Sequence, residues 1–385
     1  MTHRLTVLRA ARLFDGSEMV DNPTVVLDGG HVVAVGAEVP GAEVVDLGDV
    51  TLLPGMIDPH VHLAFDASPD PVGALAARTP DEVRAAMVDA ARRTLRCGVT
   101  TVRDLGDRDY LSLDLRGRPD LPTIVAAGPP VTTAGGHCHY LGGGTEPTEE
   151  AVRAAVRERA ARGCDVVKIM ASGGTLTPGS LQHVPQFGAV ELRAAVDEAH
   201  RHGLPVTAHA HATAAIADAL AAGVDGLEHA SFWSEEGVDD RPDLLDEIAR
   251  RQVAVGATLG AVPIPGMVPP PAVLARLPLI LKAFTRLVEA GAVVVAGTDA
   301  GIGPPKPHSP LPSALPQLVQ LGMRPLDALR SMTSVAAEVC GLASRKGRLA
   351  PGFDADLVAV VSDPLTDPTA LGEVRAVYLG GRLVS

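Results

Sequence analysis

One unit recurs along this chain and limits what it can fold into: an amphipathic helix, a glycine, then a short apolar strand. In the clearest copy, Thr79-Pro80-Asp81-Glu82 forms a capping box with proline at the first helical position. Val83, Met87, Ala90 and Leu95 keep an apolar helical face up to Cys97. Gly98 ends that helix, and Val99-Thr100-Thr101-Val102 follows as a strand. The unit returns in helices at about 148–162, 189–202, 213–222 and 272–290, closed by Gly163, Gly203, Gly223 and Gly291. Strands at 123–127 and 253–257, the latter after a helix near 241–250, and the strand ending at His62 bring the candidates to eight across roughly 54–340. Strands alternating with helices form a parallel sheet with right-handed crossovers, and ~250 residues is the usual span of a (β/α)8 TIM barrel. A doubly wound open sheet is the alternative.

The two ends differ from this middle. Residues 5–8, 24–27, 31–35 and 44–47 read as short strands with a Gly29-Gly30 turn. After Gly347-Arg348-Leu349-Ala350-Pro351-Gly352-Phe353-Asp354-Ala355-Asp356, strands at 357–361 and 374–379 and a Gly380-Gly381 turn have the same character. We therefore expect residues 1–53 and 346–385 to meet in one small sheet domain beside a barrel of residues 54–345.

The strand ends carry the chemistry. Asp58-Pro59-His60-Val61-His62 closes the first strand, and residues two apart on a strand face the same side. Paired histidines also arise by chance on strand faces, so this pair alone decides little. After Gly163 the strand ends at Lys168, after Gly203 at His209, after Gly223 at His229 and after Gly291 at Asp299. Five strands of eight thus end in groups that bind metal or move protons, and in a barrel these ends share one mouth. Arg103-Asp104, closing the second strand, reads equally as an ion pair at the rim.

Lys168 stands out because only Lys168, Lys282, Lys306 and Lys346 are lysines among 33 basic residues. It sits in the apolar run Asp165-Val166-Val167-Lys168-Ile169-Met170, where a free ammonium is costly. It either snorkels or pairs with Asp299 or Asp104, or its neutral amine takes up carbon dioxide as a carbamate whose two oxygens bridge two divalent ions.

Five stretches, taken in order, resemble the amidohydrolase superfamily, in the branch of imidazolonepropionase-like enzymes and metal-dependent Xaa-Pro dipeptidases. They are Pro54-Gly55-Met56-Ile57-Asp58-Pro59-His60-Val61-His62, Val167-Lys168-Ile169-Met170-Ala171-Ser172-Gly173-Gly174, Ala208-His209-Ala210-His211, Leu227-Glu228-His229-Ala230 and Ala296-Gly297-Thr298-Asp299-Ala300-Gly301. The terminal Pro351-Gly352-Phe353-Asp354-Ala355-Asp356-Leu357 is similar to that superfamily's split sandwich. The resemblance implies that His60, His62 and Asp299 bind one divalent ion and His209 and His229 a second, zinc being the expected metal. Carbamylated Lys168 and a hydroxide would bridge the ions, with Asp299 as proton shuttle. It also implies that His137, in Gly135-Gly136-His137-Cys138-His139-Tyr140, touches the substrate carbonyl. His139, Tyr140 and His211 are further substrate candidates, and His211 is alternatively a support for a ligand. His137-Cys138-His139 as a metal site of its own is the lesser reading.

Hydrolysis of a C–N amide bond in an N-acyl amino acid or Xaa-Pro-like dipeptide leads. Ring opening of a cyclic amide such as an imidazolone comes next, and lactone or phosphotriester hydrolysis would use the same metals. A scaffold without catalysis is the rival from another class. His183 is a lid residue or a solvated loop histidine, while His3, His31, His200, His202 and His308 read as surface or helix-end residues. The net charge of -13 disfavours nucleic acid and anionic membranes as partners, which leaves a small-molecule substrate. The four scattered cysteines, a start with no signal peptide and the lack of an 18-residue apolar run point to a cytoplasmic protein with reduced thiols. Relatives often self-associate, so a homo-oligomer stays open.

Overall fold

A computed structural model describes residues 5–308 and 310–385; His3 lies outside them. The eight barrel strands are β1 (Met56–Val61), β2 (Val99–Asp104), β3 (Thr123–Ala126), β4 (Val167–Met170), β5 (Val206–Ala212), β6 (Gly226–Trp233), β7 (Ala254–Gly256) and β8 (Val294–Val295). The first three pair in order and so do the last five, all parallel. Parallel bridges at Val61–Ala300 and Val131–Ile169 join the two runs into a closed ring. At the first seam His62 N donates to Ala300 O at 2.9 Å and Asp299 N to His60 O at 2.7 Å. Closure therefore brings the first and last candidate ligands together.

The helices follow from local chemistry. Helix α1 (Pro80–Arg96) begins at the predicted box: Thr79 N donates to Glu82 Oε2 at 2.8 Å, and Thr79 Oγ1 accepts from Glu82 N at 3.4 Å. Its buried face is Val83, Met87, Ala90, Ala91 and Leu95. Helices α2 (Glu149–Arg162), α3 (Ala189–Arg201), α4 (Thr213–Ala222), α5 (Pro242–Arg251) and α6 (Pro271–Glu289) match the sequence expectation within a residue or so. Gly98, at φ +84°, also allows a close approach, because a Cβ there would lie 2.7 Å from Val358 and 2.9 Å from Met56.

That contact leads to the sandwich, which the termini build as two sheets. One contains His31–Val35, Thr24–Asp28, Thr6–Arg9 and Glu43–Asp46. The other runs Arg382–Leu383, Val374–Leu379, Leu357–Val361, Val50–Pro54 and Arg12–Leu13. The C-terminal strand Leu357–Val361 pairs antiparallel with Val50–Pro54, and Leu8, Leu13, Val25, Leu52, Leu357 and Tyr378 fill the space between the sheets. Alternation showed strands in both termini without showing which would pair. Among the described residues no helix is long and apolar enough to cross a membrane.

Candidate metal centre

Every barrel strand delivers its last side chains to one end, so His60, His62, Lys168, His209, His229 and Asp299 line a single cavity with His137 and His211. The Nε2 atoms of His60 and His62 stand 3.4 and 3.1 Å from Asp299 Oδ1. Donor atoms of His60, His229 and Asp299 all lie within 4.8 Å of one another, as do those of His209, His211 and His229. The two groups share His229, and this spacing suits a pair of ions.

The outer nitrogens are fixed as metal-bound imidazoles require. His60 Nδ1 is 2.8 Å from Glu228 Oε2, His62 Nδ1 is 3.0 Å from Gly106 O, and His229 Nδ1 is 3.1 Å from Thr258 Oγ1. Burial lowers His60 to about 4, so its ring is neutral near pH 7. The Nδ1 proton then faces the carboxylate and Nε2 keeps its lone pair for the centre. Burial also holds His209 and His229 well below the ordinary histidine range. Burial would raise Asp299, but His60 and His62 outweigh it and keep the carboxylate below its usual range.

Lys168 is 1% exposed, and burial pulls it below the ordinary lysine value against the opposing charges of Glu228 and Asp299. A carbamate forms on a neutral amine, and burial moves Lys168 in that direction. The donor set of imidazoles and carboxylate thus fits divalent ions.

His209 differs from the other candidate ring ligands. Its Nε2 is 3.0 Å from Gly173 O, while His211, two residues on, faces the same space with Nδ1 2.7 Å from Ser231 Oγ. His211 stacks on His229 with ring centroids 4.5 Å apart, so the β5 end offers two imidazoles to the centre. His137 is buried, its Nδ1 3.2 Å from Thr177 Oγ1 and its ring 4.7 Å from that of His209. Gly174 is what lets it in, because a Cβ there would lie 2.3 Å from His137 Nε2. His139 is exposed with Nδ1 2.9 Å from Gly136 O, and Tyr140 sits half-buried with its hydroxyl on Cys138 Sγ; neither lines the cavity. His183 is half-buried in its loop.

Two expectations are corrected. Arg103 and Asp104 are not a rim pair, since neighbours on a strand face opposite ways. Arg103 Nη2 binds Glu228 Oε1 at 3.0 Å, while Asp104 accepts from the backbone amides of Leu63 and Gly106. His308 is not a surface residue: it is 3% exposed, with Nε2 2.7 Å from Phe65 O. His31, His200 and His202 are exposed.

Sequence reading missed Glu228. It is buried and accepts from Thr207 Oγ1 at 2.7 Å as well as facing His60 and Arg103. The neighbouring strand makes room with Gly256, where a Cβ would lie 2.0 Å from Glu228 Oε2. The signal was present: a carboxylate within the apolar strand Gly226-Leu227-Glu228-His229 calls for the same argument as Lys168.

Backbone strain marks the same place. His229 at φ +72° and Asp299 at φ +61° occupy the left-handed region, which non-glycine residues adopt rarely and at a cost. A cavity of about 860 Å3 lies at the far end of the barrel against the sandwich, away from these donor groups. We take the donor cluster as the candidate site, because groups able to hold a metal and backbone strain concentrate there.

Comparison with known proteins gives the family. The sequence profile described as "Amidohydrolase family" matches residues 51–384. Ochratoxinase from Aspergillus niger is 29% identical over 376 residues, covering 86% of this chain and 75% of that protein. An imidazolonepropionase from Rubrobacter xylanophilus is 26% identical over 390 residues, covering 89% and 85%. A solved Xaa-Pro dipeptidase with methionine bound in its active site superimposes with a TM-score of 0.86 at 27% identity, over 98% of this chain and 99% of that one. A family profile that spans the whole barrel and the C-terminal part of the sandwich establishes that this chain is a hydrolase belonging to the amidohydrolase family.

Proposed function

We propose that the chain hydrolyses the C–N amide bond of a small N-acylated amine, the class that includes N-acyl amino acids and Xaa-Pro-like dipeptides. His60, His62 and Asp299 would hold one divalent ion and His209 and His229 a second, with carbamylated Lys168 between them and zinc the expected metal. Two such ions, when bound, supply activated water at neutral pH and polarise the scissile carbonyl. The observation that carries the reading is the approach of two imidazole Nε2 atoms to one Asp299 oxygen, at 3.4 and 3.1 Å.

The protein's own groups divide the remaining work. Asp299, ionised beside His60 and His62, takes the proton released as water attacks and passes it to the leaving amine. His137, which burial lowers to about 3, is neutral and orients the substrate carbonyl from across the cavity. Glu228 fixes the ring of His60. The similarity to imidazolonepropionase supports ring opening of a cyclic amide as the second reading. The domain limits 1–53, 54–345 and 346–385 belong to this proposal too.

Metal analysis and a substrate panel test it together. About two divalent ions per chain, with turnover of N-acyl amines or dipeptides, is the expected result. A chain that binds no divalent metal overturns it in favour of a scaffold.

A further inference from the structure

We infer that Lys306 is a positioning residue: its ammonium ties the ends of β7 and β8 together and so sets the aim of His229 and Asp299, one candidate ligand for each ion. The inference rests on the two-ion reading above and deepens it. Lys306 is half-buried in the turn after β8, where its N donates to Gly303 O at 2.8 Å and its O accepts from Gly301 N at 2.7 Å. Its Nζ donates to the carbonyls of Thr258, Leu259 and Thr298 at 2.5, 3.2 and 2.9 Å, one for each proton. The pairing of β7 with β8 ends at Gly256 and Val295. Past that point the ammonium holds the two chains together.

Two of these carbonyls belong to residues that reach candidate ligands. Thr258 Oγ1 is 3.1 Å from His229 Nδ1. Thr298 directly precedes Asp299, and its amide and hydroxyl donate to Asp58 Oδ1 and Oδ2 at 3.1 and 2.6 Å. Asp58 Oδ1 also accepts from His60 N at 3.2 Å. One chain of contacts therefore runs from His60 through Asp58, Thr298, Lys306 and Thr258 to His229. The same chain passes through the strained backbone, because Thr258 at φ +46° joins His229 and Asp299 in the left-handed region. Such torsions persist only where their surroundings over-determine them. Hydrogen bonds from an ammonium are roughly twice as strong as neutral ones, which suits Lys306 to that work.

A lysine that served stability alone would leave the ions untouched when lost. Lys346 supplies that comparison within the same molecule. It is buried with Nζ 2.9 Å from Asp354 Oδ2 and bound to Asp356 as well, beside the cavity at the far end of the barrel.

The test uses cobalt(II) as the probe metal. Lys306→Met keeps the aliphatic stem and removes the three donors. Its affinity for cobalt, read by competition against a chelator, should fall at least about 10-fold, and the visible cobalt bands should change. Lys346→Met should lower the melting temperature and keep the parent's cobalt affinity and spectrum. Thr258→Val removes the hydroxyl facing His229 and should weaken one of the two ions. Combined with Lys306→Met it should lose less than the product of the two separate losses, because both act on one ring. Parent-like affinity and spectrum in Lys306→Met overturn the inference and leave the amide-hydrolase reading intact. Losses in Lys346→Met equal to those in Lys306→Met overturn it too. Should Lys306→Met fail to fold, Lys306→Gln, whose amide keeps two N–H donors, decides on the same readouts. A parent chain that binds no divalent ion overturns the two-ion reading and the inference with it.

Discussion

Glu228 Oε2 sits 2.8 Å from Nδ1 of His60, and its other oxygen is 3.0 Å from Nη2 of Arg103. One buried carboxylate therefore orients a candidate ligand and neutralises a cation beneath it. Glu228→Gln keeps the shape and removes the charge, so metal affinity should fall by about 10–100-fold with the fold retained. Competition against a chromophoric chelator measures this, and an unchanged affinity removes Glu228 from the support of the site. Glu228→Ala goes further by leaving buried Arg103 unpaired, which should cost about 3–5 kcal/mol and lower the melting temperature.

In the proposed reaction Asp299 combines two duties, since its carboxylate would both hold an ion and move the proton. Asp299→Asn retains an oxygen donor but accepts a proton poorly. We expect kcat to drop roughly 10²–10⁴-fold with most of the metal kept, read by steady-state kinetics beside metal analysis. Near-native turnover in this variant is incompatible with the shuttle role.

The two imidazoles of β5 can be separated by counting ions. His209→Asn should bind about one divalent ion instead of about two, while His211→Asn keeps both and changes KM or kcat. The opposite pattern would exchange their roles, and the position of His209 Nε2 against Gly173 O makes that comparison informative. Removing metal with a chelator should abolish turnover and lower the melting temperature, and adding zinc back should restore both.

Cysteine reactivity reports on burial away from the centre. Burial pushes Cys164 up to about 12 and Cys340 up to about 11. A raised thiol pKa keeps the reactive thiolate scarce, so both should resist iodoacetamide in the folded protein even as pH rises from about 7 to about 9. In denaturant, where the ordinary thiol range returns, labelling should accelerate over the same interval. Mass spectrometry of labelled peptides distinguishes the cases, and rapid native labelling at Cys340 would contradict its buried placement.

Much of this architecture was legible because it is written locally. Gly98, Gly163 and Gly223 mark helix ends, and the box at Thr79 and Glu82 fixes a helix start within a few residues. The residues that close the strands were readable because a barrel carries all such ends to one mouth. What escaped depends on distant partners. A sequence separation of 125 between Arg103 and Glu228 gives no sign of their contact. His308 looked exposed because its acceptor, the Phe65 carbonyl, lies 243 residues away in sequence. His139 was drawn in by its neighbour His137, and only the three-dimensional loop turns one ring inward and the other to solvent.

The left-handed torsions at His229 and Asp299 mean that this centre is specified by its main chain as much as by its side chains. A regular strand would send these two groups along its ordinary pleat, and the reversed φ re-aims each of them. Transplanting the same imidazoles and carboxylate onto another eight-stranded ring would therefore reproduce their list but not their aim, unless both kinks were carried over with them.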